Sequence, residues 1–229
     1  MNYSELNWMQ IEAYLAEDDR LILVIGATEQ HGYLSLLTDV LIPQTLAEAA
    51  SEQTGVLVAP PLPFGSSPYF LAYPGTISLR MNTLLAVLED MLRSAYGQGF
   101  RKFLILNGHG GNRGAKAVVD ELANQLPGLE ASWYDWWMAP VVPEIAAKHN
   151  LTNTHANWSE AFSFTRVTDL PEGEKPFPGP AASFEAKKVR QHFGDGSYGG
   201  HYQAPDTVMD EIFNACVQEV ISLLERLGK

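Results

Sequence analysis

Between positions 29 and 160 the chain carries side chains of the types that hold metals or move protons: Glu29, His31, Asp39, His109, His155 and Glu160. Glu29 and His31 come within four residues of the end of the apolar run Leu21 to Ala27, and Asp39 comes shortly after. His109 sits in the glycine-rich stretch Asn107 to Asn112, directly after the apolar run Phe103 to Leu106. Imidazoles and carboxylates without a thiolate suit Zn, Mn or Fe. Several carboxylates with two histidines could hold a pair of metals, one carboxylate bridging. Each residue also has a plainer reading. Glu29 and His31 fit a hydrogen-bonded surface pair, Asp39 fits a helix N-cap or turn residue, and His155 and Glu160 fit structural roles. Asn107 to Asn112 also has the form of a phosphate cradle at a helix N-terminus, although the lysine and spacing of a Walker motif are missing. Their joint presence points to a metal site more strongly than any one of them.

The elements around these residues alternate. Leu21 to Ala27 reads as a strand buried on both faces. A helix over 41–50 and a second apolar run, Val56 to Ala59, follow. Asn82 is placed to cap a helix reaching about Gln98, with Leu84, Leu88, Met91 and Leu92 at helical spacing. Phe103 to Leu106 is a third buried strand, and a helix is expected from Gly114 to Gln125. Ser132 to Trp136 is a candidate fourth strand, and the proline-rich stretch Leu170 to Pro180 a loop. The stripe Met209, Ile212, Phe213, Cys216, Val217, Val220 and Leu224 predicts a helix over Pro205 to Leu227 with Cys216 in the core. One α/β domain over residues 1–229 with a mainly parallel sheet is the economical reading. Such sheets place their sites beyond the carboxyl ends of the strands, so both motif segments would meet at one edge.

Composition narrows the function. Lys+Arg number 15 and Asp+Glu 27, a net charge of -12 that repels phosphate backbones and argues against a nucleic-acid role. One cysteine allows no internal disulfide and no multi-thiolate zinc site. No segment approaches the ~20 apolar residues of a membrane span. The first residues lack a basic and apolar leader pattern, so a cytoplasmic address is expected. Charged residues make up 18%, low enough to hint that part of the surface is covered by another subunit.

The motifs, in order, resemble the creatininase (creatinine amidohydrolase) family. Glu29-Gln30-His31-Gly32 through Thr38-Asp39 is similar to its EQHGxHLPxxTD segment, Asn107 to Asn112 to its second motif, Tyr73 to Leu79 to FPGTxSL, and His155 to Glu160 to HAGxxET. The resemblance implies a three-layer α/β/α sandwich. It implies two divalent metals per chain (Zn, Mn or Fe) and hydrolysis of a non-peptide C–N bond, an amide or cyclic amide, by a hydroxide bridging the metals. It assigns Glu29, Asp39 and His109 to one metal, and His31 with the bridging Asp39 to the other. In creatininase the remaining ligand is a glutamate where this chain has Gly111, so Glu160 is expected to replace it. His155 would be the proton donor to the leaving nitrogen, with Glu160 beside it in the catalytic set. A homo-oligomer built from dimers, a hexamer among the forms, also follows from the resemblance. Related readings are a deformylase or modified-peptide hydrolase of the same family, or a catalytically silent metal-binding subunit.

Some positions depart from the family pattern. The Glu29 to Asp39 spacing is one residue short, Tyr33-Leu34-Ser35 replaces HLP, Tyr69-Phe70 stands where relatives often carry Glu-His, and Ala161-Phe162 follows Glu160. Expected substrate-binding residues are Tyr33, Tyr69, Phe70, Gly110, Gly111 and Trp158. The apolar changes point to a more apolar or aromatic amide than creatinine.

Overall fold

A computed structural model describes residues 1–228. The central sheet contains β1 (Arg20–Ile25), β2 (Leu57–Val58), β3 (Lys102–Asn107) and β4 (Glu130–Asp135) in the order β2-β1-β3-β4. All its pairings are parallel, and β1 and β3 run in register from Arg20↔Lys102 to Ile25↔Asn107. The helices are α1 (Trp8–Leu15), α2 (Thr38–Thr54), α3 (Met81–Gln98), α4 (Lys116–Gln125), α5 (Val141–Lys148), α6 (Ala186–Phe193) and α7 (Asp206–Leu227). A short antiparallel pair, β5 (Glu174–Lys175) and β6 (Gly200–His201), lies outside the main sheet.

Alternating side chains along the buried strands build two cores, because successive residues point to opposite faces. Leu21, Leu23, Ile25, Phe103 and Ile105 pack with Leu84, Leu88 and Leu92 of α3 and Val119 and Leu122 of α4, with α1 adding Ile11 and Leu15. Ile22, Val24, Leu104 and Leu106 pack with Ile42 and Leu46 of α2, Val142 of α5, and Ile212, Cys216, Val217 and Val220 of α7. Helices therefore cover both faces of the parallel sheet, the expected three-layer sandwich. A smaller cluster of Phe70, Tyr73, Val189 and Phe193 joins α6 to the segment before α3.

The chain leaves β1 toward β2 on one side and returns to β3 on the other. The crevice at that reversal, beyond the carboxyl ends of β1 and β3, is where open α/β sheets place sites. Two glycines make it usable. A Cβ at Gly26 would lie 2.5 Å from the Asp39 carbonyl oxygen, and one at Gly108 would lie 2.8 Å from Pro43 Cγ and closer still to that carbonyl. Their bareness lets the first turn of α2, carrying Asp39, press against the ends of both central strands.

Several expectations shift. Asn82 does not cap α3: the helix already begins at Met81, so Asn82 lies inside its first turn, and the cap position falls to Arg80, whose side chain has no acceptor to make a cap bond. Leu170 to Pro180 is not wholly loop, since Glu174 and Lys175 pair with β6. Helices α1, α5 and α6, each eight residues long, carry too short a pattern to stand out in the sequence. Among the described residues no helix is long and apolar enough to cross a membrane.

Candidate metal centre

Asp39 is the middle of the site. It lies in the first turn of α2, 3% exposed, and is not an N-cap; Leu37 holds that position. Its Oδ1 is 3.0 Å from His31 Nε2 and its Oδ2 is 2.8 Å from His109 Nδ1. Glu160 Oε1 lies 3.8 Å from His31 Nε2, and Glu29 Oε2 lies 3.7 Å from His109 Nε2. These residues form the sets Glu29, Asp39, His109 and His31, Asp39, Glu160, each with ligand atoms within 4.8 Å of one another. A third set, Glu29, His31 and His155, meets the same distance test.

The donor chemistry fits cations. His31 donates Nδ1–H to the Glu29 carbonyl at 3.1 Å, which leaves the Nε2 lone pair toward Asp39 and Glu160. His109 donates Nε2–H to the Ser66 carbonyl at 2.9 Å, which leaves the Nδ1 lone pair toward Asp39. A backbone carbonyl on the far nitrogen is the usual way a metal-ligating histidine is oriented. Buried His31 Nε2 and Asp39 Oδ2 make no hydrogen bond despite these close approaches. Buried polar atoms are normally satisfied, so convergent atoms that lack hydrogen-bond alignment match ligands aimed at a shared point.

The backbone around His109 is held rigidly. Asn107 accepts the His109 N–H at 3.1 Å and donates to the His109 carbonyl at 2.9 Å and to Asp135 at 2.7 Å. Asn112 donates to the Gly26 carbonyl at 3.0 Å and accepts from Ser66 N–H at 3.1 Å. The asparagines of the glycine-rich turn therefore fasten the turn to both central strands. On the other wall Ala156, in the left-handed region at φ 55, turns its N–H onto Glu160 Oε2 at 2.6 Å. That strained residue sets the direction of the Glu160 carboxylate.

Electrostatics follow the geometry. Burial works against the charged forms of His31 and His109, but facing carboxylates outweigh it: Asp39 then Glu160 raise His31 to about 10, and Glu29 then Asp39 raise His109 to about 9. Burial opposes the Asp39 carboxylate too, yet His31 and His109 hold it well below the usual range. Burial pushes Glu160 up to about 7 and also raises Glu29. His155 goes the other way, below its ordinary value, through burial and then the neighbouring His31.

A cavity of about 370 Å³ opens onto these groups. Tyr69, Phe70, Trp137 and Tyr198 give it aromatic walls; Ser66, Ser67, Gly110 and Gly111 line the side below His109. Among the described residues no Lys or Arg lines it. The structure thus brings Glu29, Asp39, Tyr69, Phe70, His109, Gly110, Gly111, His155 and Glu160 to one cavity, with His31 directly behind Asp39. It does not bring Tyr33 or Trp158 there. Tyr33 meets Tyr202 edge-on at 5.6 Å, and Trp158 is fully buried, its indole N–H donating to the Thr152 carbonyl at 2.9 Å. Sequence reasoning had no signal for Ser66 or Ser67, which reach the cavity from a separate loop, as Tyr198 does from another. Gln30 stood inside the first motif, yet its contacts across the fold were invisible.

The creatinine amidohydrolase family model (Creatininase) matches residues 4–224, and the chain belongs to this family. Creatinine amidohydrolase of Pseudomonas putida is 36% identical over 112 residues, 46% of this chain and 43% of that protein. The 3-dehydro-scyllo-inosose hydrolase of Thermotoga maritima is 28% identical over 138 residues, 58% of this chain and 44% of that protein. The mycofactocin precursor peptide peptidase of Mycolicibacterium smegmatis is 35% identical over 120 residues, 49% of this chain and 48% of that protein. The chain thus spans about half the length of these curated relatives. A creatininase mutant complexed with creatine superposes with a TM-score of 0.83 at 23% identity, covering 100% of this chain and 99% of the other. A manganese creatininase gives 0.79 at 23% identity, again over 100% and 99% of the two chains. A Zn-Zn creatininase mutant gives 0.80 at 24%, over 100% and 98%. These likenesses establish the fold.

Proposed function

We propose that the protein is a metal-dependent amidohydrolase with a centre that would hold two divalent cations, zinc, manganese or iron, in two ligand sets that share Asp39. The observation that carries this reading is the pair of Asp39 contacts, Oδ1 to His31 at 3.0 Å and Oδ2 to His109 at 2.8 Å. One carboxylate oxygen serves each ligand set. Glu29 and His109 would complete one set, and His31 and Glu160 the other. Bound there, such cations supply a water of lowered pKa and a Lewis acid for the substrate carbonyl.

The remaining work falls to side chains. Burial and the neighbouring His31 favour neutral His155, so the proton it hands to the leaving nitrogen is one its unprotonated ring nitrogen first takes from the attacking water. Phe70 stacks on its ring at 4.8 Å and 12°, and holds it at the cavity wall. Tyr69, Phe70, Trp137 and Tyr198 accept a flat, apolar acyl or amine portion. The lack of a lining cation disfavours substrates that present a carboxylate or phosphate there. We therefore favour an uncharged amide with an aromatic or apolar portion. A homo-oligomer is part of the proposal, supported by the exposed apolar side chains Leu71, Ile77, Phe177 and Phe184, and is checked by molar mass in solution.

The test is metal content per chain for wild type and Asp39→Asn, followed by a panel of aromatic, apolar and small polar amides. Wild-type metal that falls sharply in Asp39→Asn, with aromatic amides turned over, supports the reading. A wild type that takes up no Zn, Mn or Fe overturns it. Turnover confined to small polar amides overturns the substrate part.

A further inference from the structure

Gln30 lies between two candidate ligands, Glu29 and His31, yet its side chain leaves the centre and crosses to another part of the fold. Its Oε1 accepts the Gly32 N–H at 3.0 Å. Its Nε2 lies 3.2 Å from the Gly196 carbonyl and 2.8 Å from His155 Nε2. These contacts permit only one orientation of the amide. Turned over, Gln30 would set an N–H against the Gly32 N–H and an oxygen against the Gly196 carbonyl, two like-with-like contacts in a buried place. The side toward His155 is therefore the NH2 group. A donor there requires an acceptor on the imidazole, so His155 Nε2 carries a lone pair and the ring proton sits on Nδ1.

We propose that Gln30 is the positioning residue of this centre: it fixes His155 as the neutral Nδ1–H tautomer and occupies the Nε2 lone pair, which keeps His155 out of the ligand sphere. This rests on the reading of His155 as the proton carrier. It also separates the third distance-matched set from the other two. His31 and His109 have a backbone carbonyl on one nitrogen and turn the other nitrogen toward Asp39. His155 has its lone pair taken by an N–H donor, the reverse arrangement. The Gln30 bond is given up when Nε2 receives a proton, while the Gly196 contact keeps the amide in place.

The support for Gln30 is itself anchored. Gly196, at φ 100, has no side chain where a Cβ would run into the Gln30 amide. The loop carrying it is pinned by Lys175, whose ammonium donates to the Phe193 carbonyl at 2.5 Å, the Ser197 carbonyl at 2.7 Å and Asp195 Oδ1 at 2.5 Å. Tyr202 O–H holds the other Asp195 oxygen at 2.7 Å. The small β5–β6 pair, which lies outside the named motifs, thus reaches His155 through this loop and Gln30.

The experiment is nitrogen NMR of protein labelled with 15N-histidine and loaded with zinc, with His155 assigned by the signal missing in His155→Gln. The expected spectrum shows His155 Nε2 as an unprotonated ring nitrogen and Nδ1 as N–H. Gln30→Glu replaces the donor with an acceptor, and is expected to move the proton to Nε2. A wild-type His155 protonated on Nε2, or a tautomer unchanged in Gln30→Glu, overturns the proposal. The wild-type spectrum carries the test by itself if the variant misfolds. The tautomer is also readable in protein that binds no zinc, so a failed hydrolase reading and a failed Gln30 assignment give different results.

Discussion

Gly111→Ala adds one methyl group to the glycine-rich turn directly beside His109. Here that methyl would lie 2.6 Å from His109 Nε2, and closer still to the Ser66 carbonyl oxygen. Ordinary contact begins near 3.5 Å, so the His109 ring must move by about 0.9 Å or the backbone at Ser66 must give way. Metal–ligand distances tolerate only about ±0.2 Å. Either movement also breaks the 2.9 Å bond from His109 to the Ser66 carbonyl that aims the ring. The overpacking costs about 1–3 kcal/mol. For a chain of this size that lowers the melting temperature by roughly 2–12 °C, at about 2–4 °C per kcal/mol. The assay pairs elemental analysis of metal per chain with a thermal melt on both proteins. Expected are a lower melting temperature and loss of the metal held by Glu29, Asp39 and His109. Full metal content with an unchanged melting temperature would refute the steric reasoning.

Other consequences are open to measurement. Glu160→Gln should weaken the site shared with His31 by more than about 100-fold, beyond the range for outer-sphere partners, with the other site retained; chelator competition reads both. Metal binding at neutral pH should release protons, because His31 at about 10 and His109 at about 9 are protonated in metal-stripped protein and must lose a proton to ligate. Calorimetry in buffers of different ionisation enthalpy counts them, and no release would contradict the ligand assignment. The same raised values give the metal-stripped fold a stabilising contribution that is fully present below the ordinary histidine range. That contribution is lost as pH rises through about 9 to 10, which denaturant titration across pH would show. Arg20→Ala should cost about 3–5 kcal/mol without altering metal content, since buried Arg20 pairs with Asp18 and ties the Leu224 carbonyl of α7 to β1 at 3.1 Å. Denaturant melts and elemental analysis together separate that structural role from the site.

The sequence determined the sheet, the helices with long apolar stripes and the ligand types, because each is written in local pattern. Continuous apolar runs at Leu21 to Ala27 and Phe103 to Leu106 suit strands buried on both faces, and both became central. Motif residues at their ends then had to share an edge once the pairing was parallel. Short helices α1, α5 and α6 escaped notice because eight residues carry about two turns of signal. Tertiary structure alone decided the rest. Asp39 became the shared carboxylate because bare Gly26 and Gly108 admit the first turn of α2, a fit between segments far apart in the chain. Trp158, inside the His155 to Glu160 motif, went to the core, while Trp137, outside every motif, went to the cavity. The ring nitrogen that each histidine turns toward the centre depends on which carbonyl or amide meets the other nitrogen: Glu29 for His31, Ser66 for His109. For His155 it is Gln30 that meets the inward-facing nitrogen itself. Tautomer and lone-pair direction are properties of contacts across the fold, so the residues could be named from the sequence while their chemical states could not.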